Sequence, residues 1–97
     1  MKIIRTQEYQ KELLRILKHI AKDKITASKK FKDDLNIQIS KIPNFPYKYR
    51  QSYYFDNENI RDMTFKAYTI TYEIDLNKKT IFILSIFNMN KPYKDKS

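Results

Sequence analysis

The 97-residue chain contains no cysteine, no glycine and no tryptophan, and a single histidine, His19. Without cysteine there is no disulfide framework, no thiolate zinc site and no thiol nucleophile. One imidazole excludes multi-histidine metal sites and leaves a Ser–His device only one candidate. The lack of glycine excludes glycine-rich phosphate cradles, the dinucleotide fingerprint and the P-loop, whose turns need a residue without Cβ. No apolar run approaches the ~20 residues that cross a bilayer. The opening MKIIRTQEYQ lacks the apolar stretch of about 7–15 residues found in a secretory signal. Carboxylates do not converge either. Asp33 and Asp34 are adjacent in a helical pattern and point apart, and Asp56 and Glu58 fall in a loop, so no metal and no cofactor is implied.

What is present is a packed-core composition: 41% hydrophobic residues, with eight tyrosines and six phenylalanines. That is far too apolar for a disordered chain, and the length fits one domain over residues 1–97. The expectation is a soluble, cytoplasmic protein with no membrane partner. The net charge is +9, and it is unevenly placed. Residues 1–50 hold 13 basic and 5 acidic side chains, against 7 and 6 in residues 51–97. A positive field confined to one half suits an anionic partner such as nucleic acid, a ribosome or an acidic protein segment. The same lysine-, isoleucine- and asparagine-rich bias also arises from an AT-rich genome, which leaves a basic interaction domain as the plainer alternative.

Ile42-Pro43-Asn44-Phe45-Pro46 divides a helix-patterned half from a strand-patterned half. Met1–Arg5 reads as a short opening strand, after which Thr6 caps a helix with Glu8 in its first turn. Tyr9, Leu13, Ile16, Leu17 and Ile20 draw an apolar stripe on that helix. Lys11, Arg15, Lys18 and Lys22 form a second, basic stripe, either a solvated face or a surface for an anionic target. A second helix is predicted at about Thr26–Lys41, with Ala27, Phe31, Leu35, Ile39 and Ile42 on one side. The link at Asp23-Lys24 is short enough to make the two an antiparallel hairpin, and Pro43 ends the second helix. Beyond Pro46 the period changes to two. Ile60–Phe65 reads as a strand, Tyr68–Ile74 as a strand with one buried face, and Ile81–Phe87, apolar on both faces, as a central strand. Gln51–Phe55 is one more strand or a lead-in, and Asn88–Ser97 a frayed polar tail. The predicted fold is α+β: an opening strand and a helix hairpin packed on one face of an antiparallel sheet of three to four strands, the other face open to solvent or a partner. Arg50, Arg61 and Lys66 fall among Tyr47, Tyr49, Tyr53, Tyr54 and Tyr68, a mixture able to neutralise phosphates and stack on bases.

Asn59-Ile60-Arg61-Asp62-Met63, followed by Tyr68-Thr69-Ile70-Thr71-Tyr72-Glu73-Ile74, resembles the paired hydrophobic-Arg-acid-Leu and Tyr-Arg-Ile-x-Tyr strands of the RelE/ParE superfamily of bacterial toxin–antitoxin toxins. Ile81–Phe87 is similar to the family's apolar last strand. The resemblance implies a growth-inhibiting toxin neutralised by a cognate antitoxin, docked on the seam of the helix pair at Leu13, Leu17, Phe31 and Leu35 or on the solvent-facing sheet. For a metal-free ribonuclease of this kind it implies Arg61, Lys66, Lys91 and Tyr93 as the catalytic groups. The departures point elsewhere. Thr69 stands where ribonuclease members carry an arginine, and Asn88-Met89-Asn90-Lys91-Pro92-Tyr93 replaces their further arginines. A well-placed donor supplies roughly 3 kcal/mol to such a transition state. The resemblance therefore favours a ParE-like toxin that binds DNA gyrase, with a RelE-like ribosome-dependent mRNA endoribonuclease as the alternative. Arg50, Arg61, Lys66 and the basic stripe are the candidate target- or nucleic-acid-binding residues in either case.

Overall fold

The computed structural model describes residues 1–88. The elements run β1 (Lys2–Arg5), α1 (Gln7–Asp23), α2 (Ile25–Ser40), a single 3-10 turn at Ile42–Asn44, β2 (Ile60–Phe65), β3 (Tyr68–Asp75) and β4 (Thr80–Asn88). Among the described residues no helix is long and apolar enough to cross a membrane.

Thr6 starts α1 and fastens it to the sheet. Its hydroxyl accepts from the Tyr9 N–H at 3.2 Å and donates toward the Ile83 carbonyl at 2.9 Å, so one side chain satisfies an orphan helix donor and fixes the helix start over β4. The hairpin turns without glycine because its single linking residue, Lys24, is extended (φ −158°, ψ 115°), a conformation open to any residue. Ser28 closes the turn by donating to the Leu17 carbonyl at 2.8 Å. The absence of glycine is felt in the β-turns, where Lys66 (φ 55°) and Lys79 (φ 50°) take the left-handed region, each costing on the order of 1 kcal/mol.

The core lies between the hairpin and one sheet face. Tyr9, Leu13, Phe31, Leu35 and Ile39 meet Met63, Ile70, Tyr72, Ile74, Ile81, Ile83 and Ile86. Phe31 packs edge-on against Phe65 and Tyr68 at 5.3 and 5.4 Å. Ala27, expected on this side of α2, is exposed.

The sheet order is β1-β4-β3-β2, with β4 in the central position its two apolar faces predicted. Two expectations are corrected. The sheet is mixed: β2, β3 and β4 form the antiparallel meander, but β1 pairs parallel to β4, Ile3 opposite Ile81. Tight turns dictate antiparallel pairing only within the meander. β1 and β4 are separated by two helices and the first two strands of the meander, and so long a connection accommodates a parallel neighbour. The second sheet face is also not simply open. The segment before β2 runs along its edge, with Ser52 N–H donating to Ile60 and Asp62 N–H to Arg50. Tyr54 then reaches Phe87 edge-on at 5.6 Å. Asp62, Thr69, Thr71 and Ser85 on this face are consequently buried, so β3 has two buried faces rather than one. Gln51–Phe55 is a lead-in, joined to β2 by an isolated bridge between Gln51 and Arg61. Asn88, expected in the tail, closes β4. The rest of the expected tail lies outside the described residues.

Where β3 pairs with β4 the register shifts between Thr71 and Tyr72, and β1 extends only as far as Ile83. Beyond that point Glu12 replaces the missing strand, its carboxylate accepting from the Ile86 N–H at 2.9 Å. Burial pushes the Glu12 carboxyl up to about 7 and adjacent Glu8 adds to the rise, while the Ile86 hydrogen bond and Arg15 oppose it. The folded state therefore holds a proton that the unfolded chain has released, and stability is lost as pH rises from about 4.5 to about 7. Solvent screens this partly exposed group, so the loss is about 1 kcal/mol. Glu12→Gln retains the acceptor and removes the charge. Urea midpoints should show the variant about 1 kcal/mol more stable at pH 8 and insensitive to pH across that window; a variant less stable at pH 8 contradicts this assignment.

Candidate functional site

Two surfaces combine charge with exposed apolar groups. The first is a groove of about 450 Å³ along the hairpin, with Tyr9, Leu13, Leu14 and Leu17 as its floor and Arg5, Gln10, Lys11, Lys32 and Asn36 along its rim. Leu14 is 53% exposed. Arg5 and Asn36 touch across the rim at 3.5 Å. Of the expected antitoxin contacts, Leu13 and Leu17 line this groove, whereas Phe31 and Leu35 lie in the core beneath it. Leu14, Arg5 and Lys32 also line it, and the sequence pattern alone does not single them out. The apolar stripe from Tyr9 to Ile20 is the packed face, as its spacing predicts; Leu14 lies outside it, and Lys32 on the second helix has no spacing that marks it as facing the first.

Lys11, Arg15, Lys18 and Lys22 are all exposed on α1. Only Lys11 borders the groove, and the others form an outer cationic face.

The second surface is the irregular stretch between α2 and β2. Arg61 leaves β2 on the core side of the sheet, opposite Tyr72, and its guanidinium is largely committed. Nε donates to the Glu58 carbonyl at 2.8 Å and Nη1 to the Tyr49 carbonyl at 3.0 Å, with the Tyr47 ring 4.9 Å away. Tyr72 donates its hydroxyl to the Pro46 carbonyl at 2.6 Å, and burial raises its pKa further above the usual phenol value. These contacts close the 46–59 segment on itself. Arg50 projects to the opposite face. Its guanidinium lies 3.7 Å from the Tyr53 ring centroid and 3.9 Å from the buried Asp62 carboxylate. Asp62 in turn accepts from the Thr71 hydroxyl at 2.8 Å.

Lys66 stands in the β2–β3 turn at the far end of β2, its ammonium 5.6 Å from the Phe65 ring. Five residues of extended strand separate it from Arg61 by roughly 16 Å. Arg50, Arg61 and Lys66 are thus not brought to one point. Lys91 and Tyr93 lie outside the described residues. Thr69, in the place of the ribonuclease arginine, is buried. His19 is exposed. Composition does not reveal that the irregular loop presents the Tyr49 and Glu58 carbonyls to Arg61, which satisfies them and absorbs the guanidinium.

The fold is similar to that of a solved chain described as "Chromosomal ParDE TA system from P. aeruginosa", with a TM-score of 0.73 and 16% sequence identity over 91% of this chain and 95% of that one. No curated protein sequence matches. The family model described as "ParE toxin of type II toxin-antitoxin system, parDE" matches residues 3–93, nearly the whole sequence. The chain belongs to the ParE toxin family of type II toxin–antitoxin systems.

Proposed function

We propose that this protein arrests bacterial growth by binding DNA gyrase, and that a cognate antitoxin silences it by laying an acidic amphipathic helix in the hairpin groove. Family membership supports the toxin class. The observation that carries the choice of target is the disposition of Arg61: both its hydrogen bonds to backbone carbonyls are internal, and Thr69, buried on the opposite face of the sheet, supplies no second cation. Phosphoryl-transfer catalysis in such a scaffold requires several donors converging on one phosphate, and the described residues do not present them. Action by binding needs only a surface. The antitoxin reading rests on the groove itself. Its leucine floor accepts apolar anchors at helical spacing, and Arg5, Lys11 and Lys32 on its rim complement acidic flanks.

The purified chain in molar excess should inhibit supercoiling of relaxed plasmid by gyrase, and equimolar antitoxin should reverse the inhibition. Unimpaired supercoiling at tenfold excess, together with codon-phased mRNA ends after induction, would replace this reading with ribosome-dependent cleavage. Unimpaired supercoiling with intact transcripts and normal growth would leave a non-toxic basic domain.

A further inference from the structure

We propose that Arg50 and Tyr53 form a stacking platform for a base of single-stranded nucleic acid, a site independent of the hairpin groove. Tyr53 is 79% exposed, and the Arg50 guanidinium lies over its ring at 3.7 Å. One face of the ring is therefore occupied by a cation, and the high exposure leaves ring surface in water, where a flat base can stack. The platform is built in advance. Arg50 carbonyl accepts from Asp62 N–H at 3.0 Å and Ser52 N–H donates to Ile60 at 2.8 Å, so Arg50 and Ser52, the neighbour of Tyr53, are tied to the edge of β2. Asp62, whose side chain is fully buried, holds the guanidinium electrostatically at 3.9 Å, beyond hydrogen-bond distance. The N–H groups of Arg50 thus remain available to a phosphate.

Beside the platform lies a cleft of about 500 Å³, lined by Gln51, Ser52, Tyr53, Tyr54, Phe55 and Asp56, large enough for a nucleotide-sized ligand. The Asp56 carboxylate on its wall repels phosphate. A bound strand therefore directs its backbone toward Arg50 and its base toward the tyrosine ring. A duplex keeps its bases stacked internally and offers no free π-face, so the geometry selects an unpaired strand.

The test is fluorescence anisotropy of end-labelled 12-mers of dT and rU and of a 12-bp duplex, titrated with the full-length protein at 50 and 200 mM salt. Single strands should bind more tightly than the duplex, with affinity falling as salt rises. Tyr53→Ala should weaken single-strand binding about tenfold or more, and Tyr53→Phe should retain it. Arg50→Ala should weaken it and reduce the salt slope by about one phosphate contact. Both dT and rU should bind, because the platform contacts the base and the phosphate, which the two strands share. Duplex binding as tight as single-strand binding overturns the proposal, as does a folded Tyr53→Ala that binds like the parent. Competition by polyglutamate but not by dT shows an acidic-protein site and also overturns it. Gyrase inhibition is scored separately. A chain that inhibits gyrase but binds no oligonucleotide loses this platform and keeps its toxin assignment.

Discussion

Leu14→Glu is expected to weaken antitoxin binding at least 100-fold while leaving growth arrest intact. Leu14 is half-exposed on the floor of the hairpin groove and contributes nothing to the core, so the substitution has no fold to break. In the complex it has two effects of the same sign. An apolar anchor worth roughly 2 kcal/mol when buried is lost, and an unpaired carboxylate is placed against the partner's apolar anchors in a desolvated centre, where burying the charge costs several kcal/mol more. Calorimetric titration of parent and variant with the antitoxin measures the loss, and plating after co-expression shows whether the variant escapes neutralisation. Binding within threefold of the parent moves the antitoxin off this groove.

Arg61→Ala should destabilise the protein by about 2–3 kcal/mol. The side chain bonds the Glu58 and Tyr49 carbonyls and packs beside Tyr47, and hydrogen bonds from a charged donor are worth about 1.5–3 kcal/mol each before solvent compensates the exposed one. A domain of this size has about 5–15 kcal/mol in total, so the urea midpoint should fall visibly. Arg61→Lys keeps the charge but not the two-pronged geometry, and should recover less than half of the loss. An unchanged midpoint together with lost toxicity would make Arg61 a target contact instead of a clamp.

The helices were legible because tertiary packing and sequence spacing agree. Tyr9, Leu13, Ile16, Leu17 and Ile20 can share one side only in an α-helix, and Thr6 marks its start whatever packs nearby. The meander was legible because Tyr68–Ile74 alternates and Ile81–Phe87 does not. β1 was visible as an element but its direction was not, since direction depends on how two helices return the chain to the sheet. The second sheet face was misjudged for a related reason: Thr69, Thr71 and Asp62 carry the polarity of an exposed face, yet the non-repetitive Ser52–Tyr54 stretch folds across it. The candidate sites divide the same way. Leu13 and Leu17 followed from periodicity. The groove rim joins Arg5 and Lys11 to Lys32 on the next helix, a juxtaposition fixed only by the hairpin. Arg50 and Arg61, eleven residues apart and similar in composition, are separated by the sheet into a stacked, exposed group and an internally bonded one.

Gyrase-dependent growth arrest is the measurement closest to the centre of this account: plasmid topology followed in bacterial cells after induction of the chain alone and together with its antitoxin. Loss of negative supercoiling or accumulation of linear plasmid within one generation, abolished by the antitoxin, is the predicted result. Arrested growth with plasmid topology unchanged would contradict it.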